Sequence, residues 1–334
     1  MGRLVVKIND ESDAKVSAKK LIDIASKAGA DIIKFQTFKA NSLLLKNAAK
    51  ANYQKKSTNS NEKQYTMLKN LELNYQDHLN LINYCKKKKI EFLSSPFDID
   101  SIKMIINLKL KRIKIPSSEM NNLPYLKAIS KFKGKIILST GMSNLNEIRT
   151  SINKMISYGF NKKNLTIMHC NSEYPTPFKD VNLKAMLTLK KIFNTNIGYS
   201  DHTLGVAVPI AAVAMGADVI EKHITLNKKM KGPDHSASLT PDELNLMVNS
   251  IRNIETSLGS SKKFVSKSEL KNKSVTRKSI VALKKIYKND IFSEKNLTVK
   301  RPGKGLSPMK FFNLIGKKSK KKYDKDDLIS FEEL

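Results

Sequence analysis

The sequence has no tryptophan and only two cysteines, Cys85 and Cys170, in 334 residues. Two thiols exclude a disulfide scaffold and fit a reducing compartment. Thirteen glycines and ten prolines are too few for a low-complexity or collagen-like chain. No run reaches the roughly 18 apolar residues that a membrane span requires. The opening stretch, Met1-Gly2-Arg3-Leu4-Val5-Val6-Lys7, lacks the apolar segment of a secretory signal. A soluble, cytoplasmic protein without a membrane partner is therefore expected. Acidic residues are also scarce, at 30 Asp and Glu against 61 Lys and Arg, for a net charge of +31. What is present is a 40% hydrophobic content, enough for a sizeable core. At about 150 residues per domain, the length fits two domains, or one barrel plus an appendage.

The basic excess raises nucleic acid as a partner, and two features argue against it. The excess is nearly all lysine, with six arginines at positions 3, 112, 149, 252, 277 and 301, whereas base readout favours the bidentate guanidinium. The lysines are also dispersed in short runs such as Lys86–Lys89 and Lys318–Lys322, the pattern of a solvated face. No nucleic-acid partner is expected.

Eight short apolar runs recur: Leu4–Asn9, Asp31–Phe38, Ile90–Phe97, Arg112–Ser118, Lys135–Gly141, Leu165–Tyr174, Asn196–His202 and Asp218–Leu226. Several are continuous rather than alternating, as strands buried on both faces are. Helical periodicity lies between them, from Ala18 toward Gly29 and over Met67–Lys86, Leu123–Phe132, Asn144–Tyr158 and Leu204–Met215. Eight strand–helix units in about 250 residues predict a (β/α)₈ (TIM) barrel. An open doubly wound sheet is the alternative, but no Gly-x-Gly-x-x-Gly follows the first strand. Residues 1–260 are thus assigned to a barrel and the polar residues 261–275 to a linker. Residues 276–334 are assigned to a small, mostly β module with strands at Ser279–Leu283 and Leu297–Lys300.

Barrel enzymes build their sites at the C-terminal strand ends, and polar residues gather at seven of the eight. They are Lys34 and Gln36, Ser94 and Ser95, Lys114 with Ser117 and Glu119, Ser139 and Thr140, Ser172 and Tyr174, Ser200 with Asp201 and His202, and Glu221 with His223. His202 and His223 end adjacent strands, so two imidazoles could hold a divalent ion completed by water and substrate, or be two histidines with satisfied hydrogen bonds. His78 falls in a predicted helix and is expected on its surface; His169 is expected to pack within its strand. Lys34 and Lys114 interrupt apolar strands. A buried ammonium needs a partner, so they suit a phosphate or carboxylate, with Ser95, Ser139 and Ser200 as hydroxyl donors. A Schiff-base lysine and stems snorkelling to the rim are the competing readings. Arg301, before Pro302-Gly303, suits a bidentate carboxylate contact.

Nine motifs then come in order. They are Lys34-Phe35-Gln36-Thr37-Phe38, Ser95-Pro96-Phe97-Asp98, Lys114-Ile115-Pro116-Ser117-Ser118-Glu119, Ser139-Thr140-Gly141-Met142 and Tyr174-Pro175-Thr176-Pro177. Gly198-Tyr199-Ser200-Asp201-His202, Glu221-Lys222-His223, Gly232-Pro233-Asp234-His235 and Arg301-Pro302-Gly303-Lys304-Gly305 follow. Together, from about residue 18 onward, the chain resembles the bacterial sialic acid synthase family, and its last module resembles that family's antifreeze-like (SAF) domain. The resemblance implies condensation of phosphoenolpyruvate with an N-acylated mannosamine-type sugar, giving a nonulosonic acid and phosphate.

Residue by residue, the resemblance implies phosphoenolpyruvate contacts from Lys34, Ser95, Lys114, Ser117, Ser139, Ser172 and Ser200. It implies sugar contacts from Gln36, Tyr174, Asp234 and Arg301, with Glu119 handling a proton. His202 and His223 would hold a divalent metal, Mn²⁺ first and Mg²⁺ or Co²⁺ next. The family's swapped homodimer is the implied assembly, with Arg301 arriving from the partner chain. Gly232-Pro233-Asp234-His235 resembles the neuraminate and legionaminate branches, and Cys170-Asn171-Ser172-Glu173-Tyr174 leans to legionaminate. The family's opening strand, roughly Ala-Glu-Ile-Gly followed by Asn-His, is replaced by Val5-Val6-Lys7-Ile8-Asn9-Asp10-Glu11, with Glu11 a candidate substitute for the carboxylate. The alternatives are a pseudaminate synthase, or a sugar-binding barrel impaired by that altered strand.

Overall fold

The β-branched runs form strands where they are expected, trimmed at one or both ends. The computed structural model describes residues 3–8, 14–45, 64–69, 71–230 and 234–334. Its strands are β1 (Arg3–Ile8), β2 (Ile32–Thr37), β3 (Glu91–Pro96), β4 (Arg112–Ile115), β5 (Lys135–Ser139), β6 (Leu165–Cys170), β7 (Asn196–Asp201) and β8 (Val219–Ile224). All pair in parallel, in the order β3-β2-β1-β8-β7-β6-β5-β4. β3 also lies against β4, so the sheet curls into a nearly closed (β/α)₈ barrel. Asn9 and Glu11 lie outside the described residues, as do Gly232 and Pro233.

Several helices start where side chains cap them. Asn74, Asn144 and Thr240 each form a reciprocal capping box, with Asp77, Glu147 and Glu243 respectively. The Asn74 cap also explains one departure from expectation. The periodicity over Met67–Lys86 is not one helix but two, Gln64–Lys69 and Tyr75–Lys87, the second beginning at its own N-cap. Helices Ile99–Asn107, Lys184–Phe193 and Pro241–Leu258, which the expected set lacked, follow β3, β6 and β8.

Alternation along the strands divides the apolar residues into two layers. One packs outward against the helices, for example Val6, Ile33, Ile113 and Ile136 with Leu21, Ile102, Ile129 and Ile152. The other fills the barrel with Val5, Ile32, Leu93, Ile137, Met168 and Val219. Each side chain so buried contributes about 1.5–3 kcal/mol. In β7, Gly198 is held to glycine because a Cβ there would stand 2.6 Å from the Val219 carbonyl oxygen.

The chain divides into two compact units, Met1–Gly259 and Ser260–Leu334. In the second, β9 (Ser279–Ala282) and β10 (Leu297–Lys300) pair antiparallel, with Ser279 opposite Lys300. Ile280, Ile286, Phe292, Leu297, Leu306, Leu314 and Tyr323 form its core. The polar stretch 261–275, read as a linker, carries a helix, Lys267–Thr276, capped by Ser266 and Glu269 and burying none of its residues.

Candidate active site

Stepping two residues up each strand from the apolar plug replaces hydrocarbon by polar groups. Above Val5 comes Lys7, above Ile32 Lys34, above Leu93 Ser95, above Ile137 Ser139, above Met168 Cys170, above Gly198 Ser200 and above Val219 Glu221. One more step brings Gln36, His202 and His223. The barrel register thus delivers chemistry from separate strands to one level.

Glu221 is the hub. Its Oε1 accepts from Lys114 Nζ at 2.5 Å and Ser200 Oγ at 3.0 Å, and pairs with Lys34 Nζ at 2.8 Å. Burial opposes its ionisation, but the two ammonium groups outweigh burial and hold the carboxyl well below the usual carboxylate range. Burial pushes Lys34 down, with Glu221 opposing and Lys114 reinforcing. Glu221 and the two lysines thus form one buried ion-paired cluster. Around it, Glu221 Oε2 and the hydroxyls of Ser95 and Ser139 are buried with no hydrogen-bond partner among the described residues. Unsatisfied buried polar atoms of this kind are what a ligand in the cavity would complete.

Beside this cluster, Gly141 N donates to Ser117 Oγ at 3.0 Å, and Ser117 Oγ lies 3.5 Å from Cys170 Sγ. A Cβ at Gly141 would meet Ser172 Oγ at 2.3 Å, so only glycine lets Ser117 and Ser172 close on this turn. Both cysteines are free and buried.

At the rim, the His202 and His223 rings meet edge to face with centroids 5.1 Å apart. Tyr174 lies against both, at 4.0 and 5.5 Å. His202 Nδ1 lies 2.6 Å from the Asn171 carbonyl oxygen, which can only accept, so the proton sits on Nδ1 and Nε2 carries the lone pair. Burial, with help from Lys7 and Lys114, pushes the His202 pKa down to about 3, and burial likewise pushes His223 well down. Both rings are neutral at physiological pH, the form that binds metals. Asp234 Oδ2 stands 3.5 Å from His223 Nδ1 and 3.8 Å from Lys7 Nζ, and burial raises its pKa. Among the described residues no group of three or more His, Cys, Asp or Glu is gathered for a metal ion. The pair nonetheless fits an ion that takes two neutral imidazoles and fills its remaining positions with water and substrate, and Asn171 sets the His202 tautomer as an outer-shell partner does.

Other expected residues stand apart from these contacts. The buried carboxylate of Glu119 is held by Ser118 Oγ at 3.1 Å and Asn122 Nδ2 at 2.7 Å. Gln36 is half-buried near the end of β2. Arg301 is exposed in the second unit, directly after β10. His78 is not on a surface: it is fully buried, joining Thr37 Oγ1 at 2.7 Å to the Asn74 carbonyl at 2.8 Å, because the helical face it occupies turns inward. His169 is half-buried, with Nε2 2.9 Å from the Val181 carbonyl.

Comparison with known proteins settles the kinship. The NeuB family profile matches residues 21–263 and the SAF domain profile residues 277–334. The chain belongs to the NeuB family. It is 51% identical to the N,N'-diacetyllegionaminic acid synthase of Campylobacter jejuni over 96% of each chain. It is 45% identical to the synthase of the same name from Legionella pneumophila, over 92% of this chain and 87% of that one. The solved N-acetylneuraminic acid synthetase of Leptospira borgpetersenii, in complex with citrate, superposes with a TM-score of 0.69 at 29% identity, covering 81% of this chain and 90% of that one.

Within this NeuB-family barrel, Lys7 was absent from the expected set, and Glu221 was expected only as a polar strand-end residue with no assigned role. Glu221 was legible as the inward position two before His223. Lys7 was legible as the inward position of β1, in register with both Lys34 and His223. A third feature lies behind the site. Buried Lys222 donates to Asp201 Oδ2 at 2.5 Å and to the Thr203 carbonyl, tying together the strand ends that carry His202 and His223.

Proposed function

We propose that this NeuB-family enzyme condenses phosphoenolpyruvate with a 2,4-diacetamido-trideoxy sugar of the mannosamine type, giving N,N'-diacetyllegionaminate and phosphate. N-acetylmannosamine is the second-choice substrate. The observation that carries the reading is the buried set Lys34, Lys114, Ser200 and Glu221, ringed by the unsatisfied hydroxyls of Ser95 and Ser139. Two ammonium groups share one carboxylate oxygen, so an entering phosphate finds uncompensated positive charge and ready donors. The likeness to the Campylobacter and Legionella synthases supports the choice of sugar.

In this reading Lys34, Lys114, Ser95 and Ser139 hold the phosphate of phosphoenolpyruvate, with Ser117 and Ser172 at its edge. Gln36, Tyr174 and Asp234 face the open-chain sugar. C3 of phosphoenolpyruvate attacks the aldehyde carbon, water adds at C2, and the tetrahedral intermediate expels phosphate by C–O cleavage. The lysines stabilise the departing dianion, and Glu119 handles a proton. His202 and His223 would hold a divalent ion, Mn²⁺ first, which supplies Lewis-acid polarisation of the aldehyde. The working assembly is a homodimer, with Arg301 of the partner subunit reaching the sugar.

The test is phosphate release from phosphoenolpyruvate with each of the two sugars, with and without chelator. Chelator-sensitive release, faster with the diacetamido sugar, is expected. Faster release with N-acetylmannosamine would reassign the product, and chelator-insensitive release would remove the metal.

A further inference from the structure

β1 ends its inward face on Lys7, 7% exposed. In register it stands opposite His223 on one side and Lys34 on the other. Its Nζ lies 3.8 Å from Asp234 Oδ2, the oxygen that sits 3.5 Å from His223 Nδ1. It also lies 6.0 Å from the centre of the Tyr174 ring, which packs on His202 at 4.0 Å. The ammonium is therefore one residue away from both imidazoles.

We propose that the ammonium of Lys7 is a counter-charge that weakens divalent-cation binding at the His202–His223 pair; this rests on reading that pair as the cation site. Two effects act in the same direction. An ammonium has no lone pair to offer a metal, and its charge repels a dication at short range in a medium where water does not screen it. It also engages Asp234, so a carboxylate beside His223 spends its charge on Lys7 rather than on the ion. Lys34 and Lys114 hold their ammonium groups on Glu221, whereas that of Lys7 is directed to Asp234, beside His223.

The experiment is a titration with Mn²⁺ alone, following free Mn²⁺ by electron paramagnetic resonance, on wild type, Lys7→Met, Lys7→Gln, Lys7→Arg and His202→Ala. Lys7→Met and Lys7→Gln are both neutral, so one suffices if the other misfolds. Removing the charge is expected to tighten Mn²⁺ binding by about tenfold or more, Lys7→Arg to match wild type, and His202→Ala to abolish binding. Equal affinity in wild type and the neutral variants, with binding still lost in His202→Ala, would overturn the role of Lys7 and leave the cation site standing. No binding in any variant would overturn the cation site and this inference with it.

Discussion

Replacing Glu221 by glutamine is the sharpest perturbation the barrel offers. Glu221 is 2% exposed, and one of its oxygens serves Lys34 at 2.8 Å and Lys114 at 2.5 Å. At an effective dielectric of about 20, each contact corresponds to roughly 6 kcal/mol of gross attraction, most of it offset by desolvation. Glutamine keeps the shape and removes the charge, leaving two buried ammonium groups facing one another. Removing one partner of a buried pair costs about 3–5 kcal/mol, and Glu221→Gln should lose that much in urea unfolding at pH 7.5. The same uncompensated charge should make the variant the better anion binder. Inorganic phosphate or phosphoenolpyruvate at about 100 times its Kd restores about 2.7 kcal/mol, and the variant should reach this at lower concentration than wild type. A loss below about 1 kcal/mol, or a phosphate affinity no higher than wild type, would refute the hub.

Other outcomes follow from the same geometry. His223→Ala should abolish metal-dependent turnover with the far-ultraviolet spectrum unchanged; wild-type rates would remove His223 from the chemistry. Arg301→Ala should lower activity and raise the KM for sugar although it lies outside the barrel, and an unchanged KM would dismiss it. Burial holds His78, His169, His202 and His223 below the ordinary 6.5, so the unfolded chain takes up more protons once the pH falls under that value. Stability is therefore full above about pH 6.5 and falls with acidification, by up to about 1.4 kcal/mol per pH unit for each such histidine. Urea midpoints that stay flat from pH 7 to 5 would contradict this.

Much of the fold was legible because both faces of the barrel strands are buried. Continuous apolar runs such as Ile32-Ile33 and Ile136-Ile137-Leu138 admit few other readings, and each ends on polar residues that no core would tolerate without a purpose. The missing helices were hidden for a physical reason. Lys184–Phe193 is apolar at six of its ten positions, with the adjacent pairs Met186-Leu187 and Ile192-Phe193 blurring the helical period, and Ile99–Asn107 starts at the Asp98 cap directly after the Ser95-Pro96-Phe97-Asp98 motif. His78 misled because a polar residue in an amphipathic helix defaults to the outer face; only the fold brings Thr37 within reach of its ring. Glu221 and Lys7 needed the inward phase of each strand, which parallel register sets through hydrogen bonds between strands distant in sequence. The sequence motifs pointed to a family; the pairing of Lys34 with Lys114 on a single carboxylate oxygen is a property of the closed barrel alone.

The most direct test uses phosphoenolpyruvate carrying ¹⁸O at its bridging oxygen, incubated with the diacetamido sugar and Mn²⁺. The account predicts phosphate release only when sugar is present, the label in the phosphate, and a product whose mass equals sugar plus pyruvate. Unlabelled phosphate, or release that does not depend on sugar, would contradict it.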